Sequence, residues 1–334
     1  MSVKQMDSDT LNEEYYQVSP DILASFPKFR LPLNLYRFKE DVGQLQPYYY
    51  ADRRLDQNMQ KDLQALSSKG QIFVARSDHK IYAKHISRQL DLVLVDKNLT
   101  TGEVVYIIRQ ALTDKTSDFF DQPVLVALEK LRSDCLVMTQ YLWEDHFRVN
   151  NLLKVLHPDY SWAKLCYNST VLGLALFIDG QKDGFKRKHL DNLALGLLTH
   201  MLGMSKIPAF IREKKTRLSM EEQDKMTNYP IVGAGIMRKL DVMEEAVLKC
   251  HLEHKELLDG SGIPRGIKEP EISYYGKLAA LVHAFWQDYL SQGTGAQDIS
   301  KSVEELARAK TKYDAKLCSK LRRISQNIKT FSQD

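Results

Sequence analysis

From about Asp159 onward, apolar residues recur at helical spacing in four successive segments, 171–178, 190–202, 231–248 and 278–290. Stripes of that kind are buried when helices pack on helices, so the second half of the chain is expected to be an all-α bundle. The first half is patterned differently. Leu33, Leu35 and Tyr36, then Leu45 to Tyr50, are β-favouring runs on either side of an Asp-Val-Gly turn. Met59, Leu63 and Leu66 return to helical spacing over 55–66, with Gly70 as a stop; Gln71 to Ala75 is a short apolar strand. Ser77 and Asp78 offer an N-cap for a helix through Tyr82 to Leu90. Strand, strand, helix, strand, helix predicts a small α/β module between Leu31 and about Val95.

Two longer helical segments follow. One begins near Thr101 with Val104, Ile107, Ile108 and Leu112 on one face; the other is entered at Pro123 and carries Val126, Leu128, Leu131 and Val137, as a link between the halves. Residues 1–30 are polar and contain Pro20 and Pro27, which predicts an extended lead-in. Gln292 to Gly295 looks like a flexible break. The expected organisation is α+β: a lead-in over 1–30, an N-terminal α/β module with linking helices over 31–146, and an all-α helical bundle over 147–334.

Composition narrows the function classes. With 334 residues and 43% hydrophobic content, each half can bury its own core. No apolar run approaches the roughly 20 residues that cross a bilayer, and Met1 to Glu14 has no hydrophobic signal core, so a cytoplasmic protein without membrane insertion is expected. The four cysteines, Cys135, Cys166, Cys250 and Cys318, form no CxxC pair and read as small buried thiols. A net charge of +4, with bases scattered among acids, gives no nucleic-acid footprint.

The sharpest local feature is the turn Asp259-Gly260-Ser261-Gly262-Ile263-Pro264-Arg265-Gly266. It is similar to the DGSGYP signature of the HD-GYP family, bacterial cyclic di-GMP phosphodiesterases within the HD phosphohydrolase superfamily. Leu197 to Met204 followed by Lys206-Ile207-Pro208 resembles that family's LLHDIGK-x-x-IP segment, Leu218 to Glu222 its LTPEE helix start, and Tyr229 to Ala234 its HPxxGA segment. The resemblance runs collinearly over about 168–290. It implies a helical domain around two or three metal ions held by carboxylates and histidines.

Carried over residue by residue, the resemblance gives an altered ligand set. His200 stands at the first histidine of the HD pair, but Met201 replaces the aspartate and Met204 the lysine; Tyr229 replaces the histidine before the HPxxGA proline. Of the HHE run, His254 and Glu256 remain and Lys255 replaces the second histidine. His283 takes the place of a late-helix aspartate, and a histidine expected near Tyr167 and Asn168 is missing. Paired cations repel and need anionic bridges, which Met201 does not supply, and the ammonium of Lys255 competes with a metal. Met201 and Met204, at i and i+3, are expected to fill the vacated space.

The expectation is a catalytically degenerate signalling or scaffold protein with no catalytic residue and no metal, acting by contact with a signalling partner such as a diguanylate cyclase. Two alternatives stay open. One is a cyclic di-GMP sensor, with Lys255, Gly260, Ser261, Gly262, Arg265 and Lys277 as the phosphate or partner contacts. The other is a rebuilt phosphodiesterase with a single iron, manganese or zinc ion on His200, His254 and His283. A homodimer is also left open. The basic run Lys206, Arg212, Lys214, Lys215 and Arg217 reads mainly as a solvated loop.

Overall fold

A computed structural model of the chain describes residues 14–26, 30–78, 81–82, 85, 90–94, 99–181, 184–291 and 299–328. The Gln292–Gly295 break, most of the expected lead-in and much of the expected helix from Tyr82 to Leu90 fall outside these residues. The contacts divide the chain into two units, Met1–Ile108 and Arg109–Asp334.

The first unit is built on a four-stranded antiparallel sheet in the order β1-β4-β2-β3, with β1 at Tyr15–Gln17, β2 at Leu35–Lys39, β3 at Gln44–Tyr49 and β4 at Ile72–Ala75. Helix α1 spans Pro20–Ser25 and α2 spans Gln57–Ser68, the latter capped by the Asp56 side chain on Met59 N at 2.8 Å. Alternation decides the faces: Tyr16, Leu35, Ile72 and Val74 are buried, whereas Tyr15, Tyr36 and Phe73 are half-buried. This corrects the lead-in. Tyr15, Tyr16 and Gln17 pair with Ala75, Val74 and Phe73, and Ser19 caps a helix whose first residue is Pro20. Pro20 starts a helix here instead of marking irregular chain, because its missing N–H is one the first turn leaves unbonded anyway.

In the second unit the long helices are α3 (Thr101–Asp121, which begins in the first unit), α4 (Leu125–Glu144), α5 (Trp162–Gly180), α6 (Arg187–Thr199), α7 (Met220–Lys239), α8 (Glu245–Glu253), α9 (Tyr274–Ser291), α10 (Ile299–Arg308) and α11 (Ala315–Ile324). Helix α4, expected as a link, groups with this bundle: Thr139 and Gln140 bond Asp191 and Arg187 of α6. Helix α5 is buried continuously from Leu165 to Phe177 and packs against both α6 and α9. Small residues set the spacing. A methyl added at Gly173 would lie 2.4 Å from the Leu197 side chain, and one at Gly196 3.0 Å from Val247 backbone. All four cysteines are buried and free. Among the described residues no helix is long and apolar enough to cross a membrane.

Candidate functional site

The bundle brings three histidines from three helices to one buried point. His200 and His254 are the residues that end α6 and α8, and His283 lies within α9; each is at most 1% exposed. Their ring centres form a near-equilateral triangle, 4.9 Å from His200 to His254, 5.0 Å from His254 to His283 and 5.1 Å from His200 to His283. Tyr229 arrives from α7, and a glycine admits it. A methyl at Gly203 would lie 1.8 Å from the Tyr229 carbonyl oxygen, so only hydrogen lets the turn after α6 press against α7.

Hydrogen bonds fix the tautomers. His200 donates from Nδ1 to the Leu197 carbonyl at 2.6 Å, which leaves Nε2 to accept from Nδ1 of His283 at 2.9 Å. His254 donates from Nδ1 to the His251 carbonyl at 2.8 Å, and its Nε2 accepts from the Tyr229 hydroxyl at 2.6 Å. The remaining ring nitrogen, Nε2 of His283, lies 2.8 Å from the Gln287 side-chain oxygen, which accepts from Lys255 at 3.0 Å; with Nδ1 donating to His200, a neutral His283 has no proton for this contact. Burial presses the imidazoles toward their neutral form: His200 is lowered to about 4, and His254 and His283 fall well below the usual range. Burial lowers Lys255 as well.

Met201 and Met204 are both buried, and the Tyr229 hydroxyl lies 3.7 Å from the Met201 sulfur. Sequence reasoning missed three participants. Cys166 of α5 places its sulfur 3.6 Å from Nδ1 of His200. Gln287 stands one helical turn after His283. His251 donates from Nε2 to Thr199 at 2.9 Å, because the Thr199 hydroxyl is itself donated to the Leu195 carbonyl at 2.7 Å. The i+4 spacing of His283 and Gln287 and the i+3 spacing of His251 and His254 were the signals available. Where a further histidine was expected, Asn168 instead clasps the backbone of His157 through two bonds of 2.9 Å.

The carboxylates of this region face away from the triangle. Glu256 accepts the backbone N–H of Arg265 at 2.8 Å and of Ile267 at 3.2 Å, pinning the Asp259–Gly266 turn. Glu253, with its side chain fully buried, takes Lys249 at 2.7 Å, Arg265 at 3.2 Å, and both the amide and the hydroxyl of Ser273 at 2.9 and 2.7 Å. The turn is locally closed: Asp259 accepts from the Ser261 amide and hydroxyl, Gly260 N bonds the Leu257 carbonyl, and Gly260 adopts a φ of 82°. Arg265 and Lys277 are thus paired, Arg265 with Glu253 and Lys277 with Glu269. The basic run does not converge on this centre as a cluster: Arg212 stacks over Trp162 at 4.2 Å and Lys214 pairs with Glu222.

Comparison with known proteins agrees with this architecture. Residues 165–317 match the family model described as HD domain. Over 140 residues the chain is 30% identical to the cyclic di-GMP phosphodiesterase PdeB of Borreliella burgdorferi; the match covers 42% of this chain and 35% of that protein, about a third of its length. The fold is similar to that of Bd1817, a HDG"Y"P protein from Bdellovibrio bacteriovorus, with a TM-score of 0.61 and 16% identity over 94% of this chain and 100% of the other.

A carboxylate-bridged pair of metal ions does not fit the residues present. Met201 offers a thioether where a bridge would be required, Glu253 and Glu256 are engaged elsewhere, and the accepting nitrogens of His200 and His254 already hold protons from His283 and Tyr229. Among the described residues no group of three or more His, Cys, Asp or Glu side chains is arranged to hold an ion. The helical segment from 165 to 317 is similar in sequence to HD domains, and the chain shares its fold with an HDG"Y"P protein.

Proposed function

We propose that this chain is a catalytically degenerate HD-GYP-like signalling or scaffold protein of a cyclic di-GMP pathway, acting by contact with a protein partner. One observation carries the reading: in the buried histidine triangle His200 and His283 are bonded to each other and Tyr229 occupies the nitrogen of His254 that would face a metal, with no carboxylate bonded to any of the three among the described residues. The Asp259–Gly266 turn, held from below by Glu256 and exposed at Ser261, is the contact surface we assign. A diguanylate cyclase is the partner that the family resemblance suggests. Direct recognition of cyclic di-GMP by Lys255, Arg265 and Lys277 is less supported, since each already has a partner in Gln287, Glu253 or Glu269.

A second reading, one iron, manganese or zinc ion on His200, His254 and His283, has one observation in its favour. Three imidazoles about one ion at Zn–N distances of about 2 Å place their ring centres roughly 5 Å apart, as they are here. It requires the His200–His283 and Tyr229–His254 bonds to open. Elemental analysis of protein purified without chelator, with cyclic di-GMP hydrolysis followed on the same sample, separates the two. Absence of stoichiometric metal and of turnover is expected; bound metal with hydrolysis overturns the degenerate reading. For the contact, Ser261→Trp keeps the backbone of the turn and should release a captured diguanylate cyclase; unchanged capture counts against the assigned surface. Gly262 is unsuitable, because a Cβ there would lie 2.4 Å from Leu257 N and would break the turn itself.

A further inference from the structure

We propose that the outward face of the sheet in the first unit binds a proline-rich segment of a protein partner, independently of the turn in the second unit. The register fixes which residues share that face. Tyr36 of β2 pairs with Phe73 of β4 and Pro47 of β3, Phe38 pairs with Leu45, and Tyr15 of β1 pairs with Ala75, two residues on from Phe73. Alternation points all of them away from the buried side that carries Tyr16, Leu35, Ile72 and Val74. Each keeps access to solvent, Pro47 the most. No lysine, arginine or carboxylate occupies an outward strand position, and the amide of Gln17, also outward, is bonded to the Gly70 carbonyl at 2.6 Å. A sheet face that is apolar and still solvated is an unfilled contact.

The rings of Tyr15 and Tyr36 meet edge-on across β4 with centres 4.9 Å apart, and those of Phe38 and Phe73 lie 6.3 Å apart at 54°, so the surface is ridged, not flat. Among the described residues the hydroxyls of Tyr15 and Tyr36 have no hydrogen-bond partner. Burial, then Tyr15 and Asp78, holds the Tyr36 hydroxyl above its ordinary range, and it stays a donor. Apolar rings with free hydroxyl donors and no charge select the occupant. A polyproline helix presents apolar rings and carbonyl oxygens that have no internal hydrogen bond, so it supplies the acceptors these hydroxyls lack. At about 3.1 Å per residue, about six residues of it cross four strands spaced about 4.8 Å apart. A nucleic-acid strand could stack on the rings, but its phosphates would find no cation on the face and the carboxylate of Asp78 near Tyr36 would repel them. A second copy is too large for the face: a stable dimer needs about 800 Å² per partner, and four strands this short offer about 300 Å².

The test uses the full chain and fluorescence anisotropy of a labelled oligoproline peptide, beside a glycine–serine peptide of equal length, a single-stranded oligonucleotide and, by co-sedimentation, phosphatidylcholine vesicles. Oligoproline should bind saturably and more tightly than the other three. Tyr15→Phe/Tyr36→Phe keeps both rings and removes both donors, and it should weaken binding about fivefold for each hydroxyl lost. Phe38→Ser/Phe73→Ser removes ring surface and should abolish binding; if that variant does not fold, the hydroxyl variant carries the test alone. No saturable binding, unchanged binding by the folded hydroxyl variant, equal or tighter binding of the other three probes, or a dimer in sedimentation velocity that these variants dissociate overturns the proposal. Ser261→Trp, in the other unit, should leave oligoproline binding unchanged, so this site and the contact assigned to the turn fail separately.

Discussion

The hydroxyl of Tyr229 donates to Nε2 of His254 at 2.6 Å inside a core where both residues are almost fully buried. His254 has its other nitrogen committed to the His251 carbonyl, so Tyr229 is what satisfies its lone pair. Tyr229→Phe keeps the ring and leaves that nitrogen unpaired, a loss expected to cost about 1–3 kcal/mol. Urea unfolding checks it: the midpoint should fall with the slope unchanged.

The same geometry says what a metal-binding revertant needs. Met201→Asp with Tyr229→His and Lys255→His returns a carboxylate, returns two imidazoles and removes a cation from the neighbourhood of the triangle. The triple variant should co-purify with a transition metal well above the content of the parent protein, measured by elemental analysis. Equal content in both would mean that these positions do not control metal affinity.

Glu253 and Glu256 are predicted to act on the turn, not on the histidines. Glu253→Gln weakens bonds to Lys249, Arg265 and Ser273. Because the two cations are partly exposed and can hydrate, the cost should be about 1–3 kcal/mol, not the larger penalty of a stranded buried charge. Glu256→Gln puts an N–H against the amide of Arg265 or Ile267, and hydrogen exchange should speed up in residues 259–267 while α5 stays protected.

Helical periodicity made the bundle legible, and the turn motif placed His200, His254, His283 and Tyr229 in register before any geometry was available. The N-terminal strand was not legible, because Tyr15–Gln17 is only three residues long and owes its state to pairing with β4. The Ser19-Pro20 pair carries a helix-start signal, but in a short polar stretch a proline equally predicts extended chain. The surroundings of the triangle could not be read either: Cys166, Gln287 and the Thr199–His251 pair come together only through the crossings of α5, α6, α8 and α9. Gly203 is the exception that spacing hides and packing reveals. Gly203→Ala drives a methyl into Tyr229 backbone and should cost about 3 kcal/mol or more, read as a lowered thermal midpoint.

Acid sensitivity follows from how these histidines are buried. Burial lowers His200 to about 4 and His251 to about 3, against about 6.5 in an unfolded chain. Depressed folded values mean that the unfolded state takes up protons first. Stability is therefore complete above about pH 6.5 and falls as pH drops toward 4 for His200 and toward 3 for His251. Each such histidine steepens the fall by up to about 1.4 kcal/mol per pH unit, and His254 and His283 act in the same direction. Urea midpoints measured from neutrality down to about pH 4 should show this loss. His251→Gln, which can still donate to Thr199, should flatten the profile while lowering stability at neutral pH. A flat profile in the parent protein, or one rising toward acid, would mean that the imidazoles are charged in the folded state and that the neutral triangle is wrong.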